Sequence, residues 1–175
     1  MKKEEFISLM SRYRSGEITE KEKALLKPYH VDNAIIMAAG ESKRCAPLSK
    51  ILPKGLFEVR GEVLIEREIR QLREAGITNI IVVVGYKLEM FSYLSDKYDV
   101  ILVENQEYKT KNNVSSIYAA RNYLGNSYIC CADNYYEENI FQQYVYESFY
   151  TCAYTKNFAD EYCIVENERG YIESI

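Results

Sequence analysis

From Val31 onward the chain alternates short, wholly apolar runs with segments whose apolar residues recur at helical spacing. The runs Ala34–Ala38, Ile80–Val84, Val100–Val103 and Tyr128–Ala132 predict strands, and the five β-branched residues of Ile80–Val84 predict burial on both faces. Between them, Ile65, Ile69 and Leu72 line one face of a predicted helix that stops at Gly76. Leu88, Phe91 and Leu94 line the next helix. A third is expected from Asn113 to Leu124, opening in the polar cluster Asn112-Asn113-Val-Ser115-Ser116, and Phe57-Glu-Val-Arg-Gly61-Glu reads as a short extended piece with a turn. Strands that alternate with helices pair in parallel through right-handed crossovers. The expected fold is therefore a doubly wound α/β sandwich on a mostly parallel sheet. The opening residues behave differently. Phe6, Leu9, Met10 and Tyr13 recur at helical spacing, and Thr19-x-x-Glu22 offers a capping box. Residues 1–30 thus read as a short helical appendage of two helices broken at Ser15-Gly16, and residues 31–175 as the main domain. The appendage is either a packed structural element or the remnant of a helix-turn-helix, which without a basic recognition helix would bind DNA poorly.

In a parallel sheet the ligand sits beyond the carboxyl ends of the strands. Gly40, Gly85, Asn105 and Asp133 each follow a different predicted strand, so one cleft can collect all four. The first of these loops carries the most chemistry. Gly40 leaves backbone N–H groups uncovered, a helix starting there would add a positive dipole end, and Arg44, Lys50 and Lys54 bring full positive charges. That set suits a triphosphate. It lacks the Gly-Lys-Ser/Thr ending of a P-loop and the three glycines of a dinucleotide fingerprint. Asp133, at the end of an apolar run, is either a ligand for a hard cation such as Mg²⁺ shared with substrate phosphates or the N-cap of a helix before Glu137-Glu138. Lys54 and Arg44 would neutralise charge on a departing pyrophosphate. Asn112, Asn113 and Ser115 offer donors and acceptors to a base, a ribose or a second substrate, or else simply cap a helix.

Composition narrows the field. The chain has 175 residues, 47% hydrophobic and 27% charged, which is globular, and its net charge of −4 gives no general footprint for nucleic acid. No apolar run approaches the roughly 20 residues of a membrane span, and Met1-Lys-Lys-Glu-Glu has no signal-peptide core. Five cysteines without a C-x-x-C pair, three of them in apolar strand-like runs, indicate a reduced, cytoplasmic protein without a disulfide framework or a zinc site. The single histidine, His30, lies in a connecting segment and leaves little room for histidine general-base chemistry. Among 17 tyrosines, Tyr135, Tyr154 and Tyr162, with Glu161 as counter-charge, are candidates for a cage around a quaternary ammonium.

Ala38-Ala-Gly-Glu-Ser-Lys-Arg44, Pro47-Leu, Pro53-Lys54-Gly-Leu, Leu64-Ile-Glu-Arg67, Gly76-Ile-Thr-Asn-Ile, Val83-Val-Gly-Tyr86, Asn112-Asn-x-Ser-Ser-x-Tyr118 and Ala132-Asp-Asn-Tyr135 follow one another in a familiar order. Over residues 33–175 they resemble the nucleotidyltransferases of the sugar-phosphate type, and most closely the bacterial CTP:phosphocholine cytidylyltransferases. The resemblance implies a Rossmann-like sandwich and a cytidylyltransferase that carries CMP from CTP to phosphocholine. It implies a nucleotide held by Ala38, Ala39, Gly40, Glu41, Ser42, Lys43, Gly85, Tyr86, Asn113 and Ser115, with Arg44 and Lys54 on the triphosphate and Asp133 on Mg²⁺. The acceptor would be held by Asn134, Tyr135, Tyr154, Glu161 and Tyr162. Two departures stand out. Ser42 occupies a place where many members have glycine. The sequence also stops at Ile175, whereas members usually continue, which implies a C-terminally shortened domain lacking a second acidic metal ligand and part of the acceptor pocket. Such a chain is expected to bind CTP but to make CDP-choline slowly or not at all. The competing readings are a sugar-1-phosphate or aminoalkylphosphonate nucleotidyltransferase, a catalytically silent nucleotide-binding module, and a DNA-binding regulator. The expected partners are CTP and phosphocholine, with no nucleic acid and no membrane. Oligomeric state is left open, a dimer included.

Overall fold

The computed structural model describes residues 1–154 and 163–174. Among these residues the strands are, in chain order, β1 (Asn33–Ala38), the two-residue β2 (Glu58–Val59) and β3 (Glu62–Val63), β4 (Ile80–Val84), β5 (Ile101–Glu104), β6 (Ser127–Cys131), β7 (Val165–Glu166) and β8 (Ile172–Ser174). The helices are α1 (Lys3–Ser15), α2 (Glu20–Leu26), α3 (Leu64–Glu74), α4 (Tyr93–Tyr98) and α5 (Asn113–Ala119). The central sheet has the order β5-β4-β1-β6 and is parallel throughout, with Ala34 opposite both Ile80 and Tyr128. β2 with β3 and β7 with β8 form separate antiparallel pairs.

Alternation along the strands explains the two layers. Ala34, Ile36, Ile80, Val82 and Val84 point to one face and pack with Ile65, Ile69 and Leu72 of α3. Ile35, Ile81 and Val83 point to the other and pack with Ala120 at the end of α5. All five residues of β4 are buried, as a strand covered on both faces requires. The doubly wound expectation is met. At about 1.5–3 kcal/mol per fully buried aliphatic side chain, the three apolar residues of α3 drive that face inward strongly. They carry Glu68, on the same stripe, into the core with them. Gly76 ends the helix at φ +85°, a conformation that disfavours any side chain, and a Cβ there would meet the Gln143 amide at 2.9 Å.

The two N-terminal helices form as expected, including the reciprocal Thr19–Glu22 capping box. Phe6, Leu9 and Met10 of α1 and Leu26 of α2 bury against Tyr144, with Tyr13, Tyr29 and Tyr146 alongside. The segment they cover runs back beside residues 29–31, the Val31 N–H donating to Gln143 O and the Val145 N–H to Tyr29 O, both at 2.8 Å. The two helices and residues 29–31 are therefore held against residues 143–146.

Several expectations are corrected. No α-helix follows Gly40. Residues 43–45, 48–50 and 54–56 make single 3₁₀ turns instead, because Pro47 and Pro53 withhold the N–H groups a continuous helix needs. The dipole argument for that loop therefore falls, and its charge must do the work. The helix expected around Leu88–Leu94 is a 3₁₀ turn (Leu88–Phe91) followed by α4, preceded by Lys87 at φ +50°. α5 stops at Ala119, with a 3₁₀ turn over Arg121–Tyr123. Of the cysteines, Cys130 and Cys131 lie in a strand, whereas Cys152 and Cys163 are exposed outside one. Among the described residues no helix is long and apolar enough to cross a membrane.

Candidate active site

The carboxyl ends of β1, β4, β5 and β6 open on one edge of the sheet, and their loops are tied across it. The Tyr86 N–H donates to Ala39 O at 3.0 Å, the Asn105 N–H to Val84 O at 2.8 Å, and the Ala132 N–H to Met37 O at 3.1 Å. Gly40, Gly85, Asn105 and Asp133 are thereby gathered as the sequence predicts. The two glycines differ. A Cβ at Gly85 would fall 2.8 Å from the Tyr108 ring and 3.0 Å from Ala39 Cβ, so the fold itself demands glycine there. A Cβ at Gly40 would meet nothing within 4 Å, and that residue is exposed. No protein neighbour accounts for the glycine at 40, and the space above its backbone is open to a ligand.

The basic loop after Gly40 is held in place by a residue that sequence reasoning missed. Lys87 sends its Nζ to the carbonyls of Lys50 and Ile51, both at 2.7 Å, pinning the loop to the end of β4. Glu41 and Lys43 pair at 3.1 Å. Ser42 stands at φ +50°, ψ +46°, a left-handed position that costs a residue bearing a Cβ roughly 1 kcal/mol. Ser42→Gly is expected to stabilise the protein by about 0.5–1 kcal/mol in urea unfolding; a destabilised variant would mean that the serine side chain earns its place through a contact. Gly55 lets the next turn close on β6, since a Cβ there would lie 3.0 Å from Ala132 Cβ. This brings Lys54 Nζ to 2.7 Å from Asp133 Oδ2. The bond to Asp133 raises the Lys54 pKa, partial burial opposes it, and the Arg44 charge is close enough to oppose it as well. Lys54 is cationic at neutral pH.

Asp133 is less buried than its apolar strand suggests: its side chain is 38% exposed. Residues 133–140 contain no helix, so the N-cap reading fails. Among the described residues no cluster of three or more His, Cys, Asp or Glu could enclose a metal. Mg²⁺ bound to a nucleotide does not need one, because one or two carboxylates with phosphates and water complete its shell. A single exposed carboxylate beside a basic loop fits that partial role.

Ser115 is corrected. Its buried hydroxyl accepts from Asn105 Nδ2 at 2.9 Å and donates to Asn112 O at 2.8 Å, so it anchors Asn105 instead of facing a ligand. Asn112 caps α5 by accepting from the Val114 N–H at 3.1 Å, and Asn113 is exposed in the first turn. Of the expected tyrosine cage, only Tyr135 and Tyr154 lie among the described residues, and their rings do not meet. The Tyr135 ring is already covered by guanidinium groups, Arg67 at 4.7 Å and Arg60 at 5.6 Å from its centroid. Tyr154 is 90% exposed. Glu161 and Tyr162 lie outside the described residues. Asn134 donates to the Tyr136 hydroxyl at 3.0 Å. An aromatic cavity of about 710 Å³ lies beside β6 instead, its lining including Tyr128, Tyr136, Tyr146 and Phe149 with Asn134 and Glu147. The tyrosine-rich run after Tyr128 was the available signal, but spacing alone did not say which rings meet.

Residues 34–143 match the family model of the MobA-like NTP transferase domain. The choline-phosphate cytidylyltransferase of Streptococcus pneumoniae is 39% identical over 142 residues, which is 81% of this chain and 62% of that protein. The 2-aminoethylphosphonate cytidylyltransferase of Lancefieldella rimae is 54% identical over 114 residues, 63% of this chain and 46% of that one. The solved structure of CTP:phosphocholine cytidylyltransferase from Streptococcus pneumoniae aligns with a TM-score of 0.78 at 40% identity, covering 82% of this chain and 63% of that one. The chain spans less than two thirds of the length of each of these relatives. With more than half of its residues inside the family model, the chain belongs to the MobA-like NTP transferase family.

Proposed function

We propose that the protein transfers CMP from CTP to a small alkylammonium acceptor bearing a phosphate or phosphonate, with phosphocholine as the first choice. The observation that carries this reading is the open space at Gly40, at the head of a basic loop whose Lys54 is bonded to Asp133. A phosphate oxygen of the acceptor attacks the α-phosphorus of CTP in line. The bond to the bridging oxygen breaks, its electron pair leaves with pyrophosphate, and the product is CDP-choline. The chain needs no nucleophile of its own, because positioning and charge neutralisation lower the barrier. Lys54 and Arg44 offset the charge that builds on the leaving group, and the backbone at Gly40 lets the phosphates approach. Asp133 would hold Mg²⁺, which when bound supplies further neutralisation of the triphosphate. The Streptococcus pneumoniae and Lancefieldella rimae relatives are both named cytidylyltransferases, which supports CTP as the donor. The 54% identity to the second favours 2-aminoethylphosphonate as the alternative acceptor. The reading goes with a cytoplasmic protein, where its five thiols stay reduced.

The test is a thermal-shift panel of CTP, UTP, GTP and ATP with Mg²⁺, followed by phosphocholine and 2-aminoethylphosphonate on the CTP-loaded protein. Binding to the native state at a hundredfold excess over Kd stabilises by about 2.7 kcal/mol. CTP is expected to produce the largest nucleotide shift and phosphocholine a further one. A panel in which no nucleotide shifts the transition, or a purine triphosphate shifts it most, overturns the proposal.

A further inference from the structure

Residues 133–139 carry Asp133, Asn134 and Tyr135, yet they contain neither helix nor strand. Something outside the sheet must fix their path. One side chain makes more of these ties than any other. Arg67 of α3 donates through Nε and Nη2 to Tyr136 O at 3.1 and 2.8 Å, and through Nη2 to Glu137 O at 2.8 Å. Its Nη1 is bonded to Glu62 of β3, which also takes Arg70, so the fork is aimed by the β2–β3 hairpin. Its guanidinium lies over the Tyr135 ring at 4.7 Å. The side chain is only 16% exposed. Gln71, one turn on, adds a third donor to Tyr136 O at 3.1 Å.

The geometry points to Arg67 as a positioning residue that sets the path of residues 135–137 and, through them, the acceptor half of the cleft, leaving the nucleotide half and Asp133, which Lys54 holds, alone. That last clause rests on the function proposed above. The nucleotide loops are tied to one another across β1, β4 and β5, through bonds in which Arg67 has no part. Lysine cannot replace it. An ammonium keeps the charge but has no planar fork to serve two carbonyls and a carboxylate while stacking on a ring.

The experiment compares wild type, Arg67→Lys and Arg67→Gln in two measurements. Calorimetry of CTP, then of phosphocholine on the CTP-loaded protein, is expected to leave CTP affinity unchanged in Arg67→Lys. Phosphocholine affinity should weaken about 10- to 100-fold, the scale of a small misplacement of binding groups. Hydrogen exchange should become faster over residues 135–139 and stay unchanged over β1 and β4. Equal losses for both ligands, or unchanged exchange over residues 135–139, overturn the inference. If the wild type takes CTP but neither phosphocholine nor 2-aminoethylphosphonate, the acceptor assignment is what fails. The exchange data then still decide whether Arg67 holds the segment. Arg67→Gln, which keeps one donor, guards against reading a folding defect as a positioning effect.

Discussion

Replacing Lys54 by alanine is expected to lower kcat/KM for cytidylyl transfer by about 10²–10³-fold, the usual cost of removing one donor aimed at developing negative charge. The melting temperature should hardly move. The Lys54–Asp133 pair is about one third exposed at each end, and ion pairs of that kind contribute about 0–1 kcal/mol to stability. A large kinetic loss with a small thermal one separates a functional lysine from a structural one. Lys54→Met, which keeps most of the stem, should lose as much as alanine because only charge is at issue. Asp133→Asn should remove the part of CTP affinity that depends on Mg²⁺, since a neutral amide balances a divalent ion poorly. The direction of the Lys54 shift also sets a pH profile. Its bond to Asp133 raises the pKa above the ordinary 10.5, so the rate should stay level through neutral pH and lose this cation only above that range. A kcat/KM unchanged in Lys54→Ala would take the residue out of the mechanism.

The parts of this molecule that the sequence made legible are those decided by burial. The four apolar runs became the four parallel strands, with the central β4 buried on both faces and the edge strands β5 and β6 leaving Ile101 and Ile129 exposed, and the convergence of Gly40, Gly85, Asn105 and Asp133 followed from topology alone. The rest was hidden where partners are distant in sequence. Ser115 looked like a ligand donor because its bonds to Asn105 and Asn112 are invisible until the loop closes. Tyr135 looked like part of an ammonium cage, whereas cations from its own chain, Arg60 and Arg67, already lie over its ring. Lys87 carries no signal in the sequence, although its two bonds to carbonyls 50 and 51 hold the basic loop. The loop itself was misjudged for a local reason. Gly40 suggested a helix start, but Pro47 and Pro53 allow only isolated turns. Glu68 did carry a signal. It falls at i+3 from Ile65 on the apolar stripe, which is a position for a core residue.

Glu68 gives the largest expected effect on stability. It is 2% exposed, and neither carboxyl oxygen has a hydrogen-bond partner of ordinary geometry. Burial pushes its pKa up to about 8, the Asp133 charge pushes the same way, and only the Cys130 thiol favours the charged form. Among the described residues no cation offsets its charge. Burial holds Cys130 and Cys131 protonated, and the Tyr136 phenol is shifted upward as well. At neutral pH Glu68 is therefore a neutral acid in the folded protein and an anion in the unfolded chain. The folded state binds more protons than the unfolded one between about pH 4.5 and 8. The contribution of Glu68 to stability is fully present below that window and is lost as pH rises through it, at up to about 1.4 kcal/mol per pH unit. Glu68→Gln keeps the shape and cannot ionise. Wild type and variant should be of similar stability near pH 5, and the variant should be the more stable by several kcal/mol at pH 8, less whatever the buried amide costs. Urea unfolding at pH 5, 6.5 and 8 measures the difference directly, and titrations elsewhere cancel because both proteins share them. Adding Asp133→Asn should narrow the window, because removing that charge lets the Glu68 proton leave at lower pH. Parallel stability curves for wild type and Glu68→Gln would mean that the carboxylate finds a partner in solution.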